Sequence, residues 1–163
     1  CVEKARELRK KAPRGPLAVL GWREWVGLPE LGLGRIKAKI DTGARTSALH
    51  AFEVRAFHEG GTERVEFRMH PVQKDNDTVV TCVADVLDKR RVTDSGGHTE
   101  ERFVIQTDLV IGKRRWPIEV TLTARDDMMF RMLIGRTALH GRAVVDPQRS
   151  YVVGKKKVRK VKS

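Results

Sequence analysis

Ile36-Lys37-Ala38-Lys39-Ile40-Asp41-Thr42-Gly43-Ala44-Arg45-Thr46-Ser47-Ala48-Leu49 is the stretch on which the reading of this 163-residue chain turns. From Ile36 to Ile40 apolar and basic residues alternate, the pattern of a strand with one buried face. The alternation ends at an acid, Asp41, followed by a hydroxyl residue, Thr42, and then Gly43. A strand ending this way presents a carboxylate at a sheet edge, and the glycine lets another backbone come close. The plain alternative is an ordinary turn after a strand. By average residue usage an Asp-Thr-Gly triplet turns up by chance in roughly a few per cent of chains this long, so alone it decides little.

Outward from this stretch the texture stays that of a sheet, with short runs rich in Val, Ile, Thr and aromatics between Gly, Asp and Asn clusters. They predict strands at Leu17 to Leu20, Trp22 to Leu28, Arg35 to Ile40, His50 to His58, Arg64 to His70 and Thr78 to Val86. Further strands are predicted at Glu101 to Ile111, Arg114 to Ala124 and Ala143 to Val145, with Tyr151 to Val153 closing. Turn signals fall at Glu59-Gly60-Gly61, Asp75-Asn76-Asp77, Ser95-Gly96-Gly97 and Ile111-Gly112-Lys113. Arg136 to His140 reads as the start of a short helix, and Glu3 to Lys11 has helical character that stops before Pro13, Gly15 and Pro16. Many short strands with one short helix predict a mainly β fold, a closed or partly closed barrel. Residues 17–154 are read as that domain, residues 1–16 as a basic, partly helical or flexible arm, and residues 155–163 as a basic tail.

Composition agrees with one globular domain. Hydrophobic residues make up 40% and charged residues 33%, which excludes a wholly disordered or collagen-like chain. A domain this long can bury a core without staples. Apolar runs are as short as Ala18-Val19-Leu20, so no transmembrane segment is expected. Cys1 and Cys82 make no disulfide framework, and Cys82 reads as a small buried strand residue. The net charge of +12 would suit nucleic acid, but the ends hold most of it. Residues 1–14 carry six Lys/Arg and two Glu, and residues 155–163 six Lys/Arg and no acid, leaving the body 21 basic and 19 acidic residues. Such blocks read as solvated arms able to make weak nucleic-acid or ribosome contacts. The expected location is cytoplasmic, with a periplasmic or lipid-anchored protein, held through Cys1, as the alternative.

A phosphate-cradling loop needs glycines followed by Lys and Ser/Thr, and neither Gly32-Leu33-Gly34-Arg35 nor Gly135-Arg136-Thr137 supplies them. The histidines His50, His58, His70, His98 and His140 are far apart and form no zinc-type pair. Aromatics are only 6%, and no aromatic-basic strand of the kind that stacks bases is visible. Phe103 and Trp116 read as core or barrel wall. Neither a cofactor nor a metal site is expected.

About ninety residues after Asp41 comes Phe130-Arg131-Met132-Leu133-Ile134-Gly135-Arg136-Thr137-Ala138-Leu139, a hydrophobic strand ending in glycine before the helix start. Between the two lies Val92-Thr93-Asp94-Ser95-Gly96-Gly97-His98-Thr99, a polar hairpin tip. In this order Asp41-Thr42-Gly43-Ala44, Ser95-Gly96-Gly97 and Ile134-Gly135-Arg136 resemble the catalytic loop, flap and closing motif of the retropepsins, single-lobed aspartic proteases. An insertion, roughly Phe52 to Val80, departs from the viral pattern, and Glu59-Gly60-Gly61 is a rival for the flap. The strings LPELG (Leu28 to Gly32), KAKIDTGARTSALHA (Lys37 to Ala51), FRMLIGRTAL (Phe130 to Leu139) and VDPQRSYVVG (Val145 to Gly154) resemble a more specific bacterial family. Its members are often labelled ATP-dependent zinc proteases and include the RimB-like peptidases. The ATP and zinc of that label find no support in the residues above.

The resemblance implies a retropepsin-like aspartic endopeptidase, a hydrolase. Its Asp dyad would be shared across a homodimer, since one Asp-Thr-Gly is half a site. Asp41, Thr42 and Gly43 would be catalytic, and Ala44, Arg45, Ser95, Gly96, Gly97 and Arg136 would bind substrate. The implied substrate is an acidic, poly-α-glutamate-like peptide or a glutamate-tailed protein. Arginine forks suit carboxylates, and Arg125 and Arg131 are further cations near the closing motif. In the plainer readings Arg136 only braces the catalytic loop or the dimer, and Arg125 pairs with Asp126 or Asp127. The alternatives are a zinc-dependent peptidase and a non-catalytic ribosome- or RNA-associated binding module.

Overall fold

The computed structural model describes residues 17–72, 77–93, 96–97, 99–124 and 130–153. The expected N-terminal helix, both basic ends, Ser95, and Arg125 with its two acidic neighbours lie outside the described residues.

Eleven strands run through the described residues: β1 (Ala18–Gly21), β2 (Arg23–Leu28), β3 (Leu33–Ile40), β4 (Ser47–His50), β5 (Phe52–Glu59), β6 (Thr62–Met69), β7 (Val80–Thr93), β8 (Thr99–Ile111), β9 (Arg114–Thr123), β10 (Met132–Ile134) and β11 (Ala143–Asp146). One four-residue helix, α1 (Arg136–Leu139), follows β10, and a 3-10 turn at Pro29–Leu31 links β2 to β3. The large sheet runs β2-β3-β10-β4-β9-β8-β7-β6-β5. Its first six strands close into a barrel where Gly27 of β2 meets Val110 of β8. The fold is the mainly β barrel with one short helix that the strand spacing predicts.

Period-2 burial explains the wall. On β3, Ile36, Ala38 and Ile40 are buried while Lys37 and Lys39 face outward. Leu49, Val120, Leu122, Met132 and Ile134 meet them inside. Trp116 is 5% exposed and Phe103 packs against the same core, as expected of barrel-wall residues.

Three elements differ from their sequence reading. The predicted strand His50 to His58 is two strands, because consecutive amides turn to different partners. His50 N donates to Arg131 O at 2.9 Å and Ala51 N to Thr123 O at 2.8 Å. Strand β7 continues past Val86 to Thr93 despite its polar Asp88-Lys89-Arg90-Arg91 run, because β8 pairs with it throughout. The tip of this long hairpin carries the exposed glycines Gly96 and Gly97, the latter at φ +85°. The insertion is the β5–β6 hairpin, laid on the edge of β7. Tyr151 to Val153 is no strand but part of a strap across β2: Arg149 O accepts from Trp22 N at 2.8 Å, and Tyr151 N donates to Arg23 O at 2.9 Å.

Candidate functional site

Strand β10 fixes the site by wedging between two others. It pairs in parallel with β3 (Met132 opposite Ala38) and antiparallel with β4 (Met132 opposite Leu49). The turn after β3 and the turn after β10 are thereby delivered to one place. Asp41 N donates to Ile134 O at 2.8 Å, Arg136 N to Ala44 O at 2.8 Å, and Thr137 N to Arg45 O at 3.1 Å. The Thr137 hydroxyl donates to the same Arg45 carbonyl at 2.8 Å, and Gly135 N donates to the buried Ser47 hydroxyl at 3.0 Å. Two motifs far apart in sequence are thus one interlocked backbone unit.

Within it Asp41 is half-buried, and its Oδ1 accepts the Gly43 N–H at 3.1 Å. Thr42 and Gly43 are exposed, and Ala44 is half-buried. Arg136 Nη1 donates to Gly43 O at 3.3 Å, the contact of the plainer reading in which this arginine braces the catalytic loop. Gly96 and Gly97 are at the β7–β8 tip and line neither of the clefts described next.

Beside the interlocked loops opens a cleft of about 840 Å³. Arg45, Arg90, Arg136, Arg142 and His140 line it, with Trp116 and Glu119 from β9. Asp41 is not among the residues that line it. Arg45 and Arg136 are exposed and have no carboxylate partner among the described residues. Arg90 is different: its guanidinium reaches Asp88 at 3.3 Å and Glu119 at 3.6 Å. Arg142 lies over Trp116, and burial pushes its pKa below the ordinary arginine value. A second cleft of about 480 Å³ lies across Arg136 and His140, with Thr42 and the more apolar Leu139, Val144 and Val145.

The sequence reading singled out Arg45 and Arg136, and both line the larger cleft. It missed Trp116, His140, Arg142 and Arg90. His140 and Arg142 follow the closing motif directly, which was the available signal; nothing local marks Arg90 or Trp116 as neighbours of Arg45. Arg131, the other cation near that motif, is buried in the barrel. Burial alone raises the Cys82 thiol to about 11, in line with its reading as a wall residue. Among the described residues no three His, Cys, Asp or Glu side chains gather to hold a metal ion, and no helix is long and apolar enough to cross a membrane.

Comparison with known proteins adds three findings. A family model described as "Retropepsin-like aspartic endopeptidase RimB" matches residues 19–156. Proteins named "Probable alpha-L-glutamate ligase" match at 46% identity over 136 residues in Desulfotalea psychrophila and 41% over 138 residues in Shewanella pealeana. These alignments cover 83% and 85% of this chain but 29% and 30% of the relatives, so the chain spans about a third of their length. A solved structure, the protein Lpg0085 of unknown function from Legionella pneumophila, superposes with a TM-score of 0.69 at 22% identity. It covers 83% of this chain and 98% of that one, and it supports the fold alone.

The relatives' names overturn the expectation of an aspartic endopeptidase and of the hydrolase class: they are names of ligases, which join what a peptidase cuts. In this chain the Asp41 carboxylate turns onto its own loop, and the cleft beside it is lined by cations.

Proposed function

The chain belongs to the RimB-like family, and from that premise we propose that it serves α-L-glutamate ligation by holding a glutamate chain in its cationic cleft. The observation that carries the reading is the pair Arg45 and Arg136, two exposed guanidinium groups on one wall with no carboxylate partner among the described residues. An arginine fork matches a carboxylate through two parallel hydrogen bonds, and an acidic chain offers one carboxylate per residue. The interlock through Gly135 and Thr137 sets the backbones of the two arginines side by side before any ligand arrives, so only their side chains are left to be ordered on binding. Activation of a carboxylate is not part of the role proposed for this domain; its part is recognition of the acidic chain.

The test is a titration of labelled oligo-α-glutamate into the protein at several salt concentrations. Binding should be measurable at low salt and weaken as salt rises, because the attraction is partly screened. Arg45→Ala together with Arg136→Ala should lower affinity by about tenfold or more, the scale of one or two charge-assisted hydrogen bonds. Heparin serves as control for the basic ends, and its binding should survive the double substitution. Equal binding of oligo-α-glutamate by wild type and the double variant overturns the reading.

A further inference from the structure

Resting on that reading of the cleft, we propose that His140 sets how tightly a glutamate chain is held as pH changes. It takes up a proton when the chain enters, and the hold weakens as that proton is lost.

Position carries this inference. His140 closes α1, four residues after Arg136, the spacing that sets two side chains on one face of a helical turn. Among the described residues, these two alone line both the cleft of about 840 Å³ and the cleft of about 480 Å³. They therefore form the ridge between the clefts. His140 is exposed and has no hydrogen-bond or ion-pair partner among the described residues. No other histidine among them lines either cleft: His50 is buried, His58 is on β5 and His70 follows β6.

The charges that share its walls come from every element packed around it. Arg136 of α1 is its neighbour on the ridge, Arg45 comes from the Asp41 loop, Arg142 precedes β11 and Arg90 is on β7. One acid lines the larger cleft, Glu119 of β9, and Arg90 engages it at 3.6 Å. Apart from Arg136 and His140, the smaller cleft is lined by no charged or titratable side chain. The negative charge brought to the imidazole is therefore the ligand's own. Histidine is the side chain whose charge changes between about pH 5 and 8, whereas arginines and carboxylates keep theirs over most of that range. A carboxylate beside an imidazole favours its protonated form, so proton and chain bind cooperatively. The sign follows. Affinity is highest where the imidazole is charged before and after binding, and it falls as pH rises until the imidazole is neutral in both states.

Calorimetric titrations with oligo-α-glutamate, at one salt concentration and at about pH 6 and about pH 8, test this. Wild-type affinity should be about fivefold or more higher at the lower pH. Titrations near neutral pH in buffers of different ionisation heat should show proton uptake on binding, roughly a few tenths of a proton per chain. His140→Gln should reduce the pH effect to less than about twofold and abolish the uptake. His140→Lys stays charged, and should hold the chain at the higher pH about as tightly as the wild type does at the lower one. Because His140 is exposed, both variants should melt with the wild type. Equal wild-type affinity at the two pH values, or a pH effect and proton uptake that persist in His140→Gln, overturns the role of His140 alone. A wild type that binds no chain at either pH overturns the underlying reading and this inference together.

Discussion

At Gly135 a single missing methyl group decides whether the two halves of the site can meet. A Cβ built there would stand 2.5 Å from the Thr46 carbonyl carbon and 2.6 Å from its oxygen, backbone atoms that cannot swing aside. On either side of it, Ile134 O and Arg136 N hold the Asp41 loop. Gly135→Ala should therefore destabilise the fold by about 1–3 kcal/mol, the usual cost of overpacking. It should also weaken glutamate-chain binding, because Arg45 and Arg136 lose their common frame. Urea midpoints and the titration above check both effects; an alanine variant as stable as wild type would mean the loops separate at no cost. The glycine is visible in the sequence as the end of an apolar run. Its neighbour Thr46 is not, because close backbone approach is a property of the β3-β10-β4 arrangement.

Among the elements, the strap after β11 depends on one buried carboxylate. Glu24 is 0% exposed, and it accepts N–H groups of Gly21 at 2.6 Å, Val152 at 2.9 Å and Val153 at 3.2 Å. Tyr151 stacks on Trp25 with centroids 6.1 Å apart, and Arg23 reaches Ser150 Oγ at 3.2 Å. Glu24→Gln replaces one acceptor oxygen by a donor that faces other donors, and should cost about 2–3 kcal/mol. Hydrogen exchange at Val152 and Val153 should accelerate before the barrel amides do; unchanged exchange there would show that the strap is held by its ring contacts instead. This element was misread from sequence for a physical reason. Tyr-Val-Val has β-forming composition, and nothing local reveals that its amides go to an acid more than a hundred residues earlier. Most barrel strands were legible because one wet face and one dry face impose alternation. The extension of β7 was not, since its Asp88-Lys89-Arg90-Arg91 run is polar and breaks the alternation.

Over the whole molecule, charge divides into two systems. The chain carries +12, yet residues 155–163 alone hold six Lys/Arg and no acid. Deleting them should flatten the salt dependence of heparin binding while leaving the oligo-α-glutamate affinity of the cleft within about twofold. Parallel loss of both activities would place glutamate binding on the tail. The cleft was only half legible for the same reason of scale. Arg45 and Arg136 sit inside motifs that can be read locally, but Arg142, His140 and Trp116 become its walls only when α1 packs beside β9. The small sheet has another consequence. Strand β1 runs parallel to β11, with Ala18 opposite Ala143, and the strap returns to β2 beside it. The polypeptide therefore enters and leaves the domain on one flank. Such a unit is portable: it can be joined to either end of another protein, or set into a surface loop whose two ends lie close together. Every residue named as lining its cleft lies between Arg45 and Arg142, so the site would move with the unit whole.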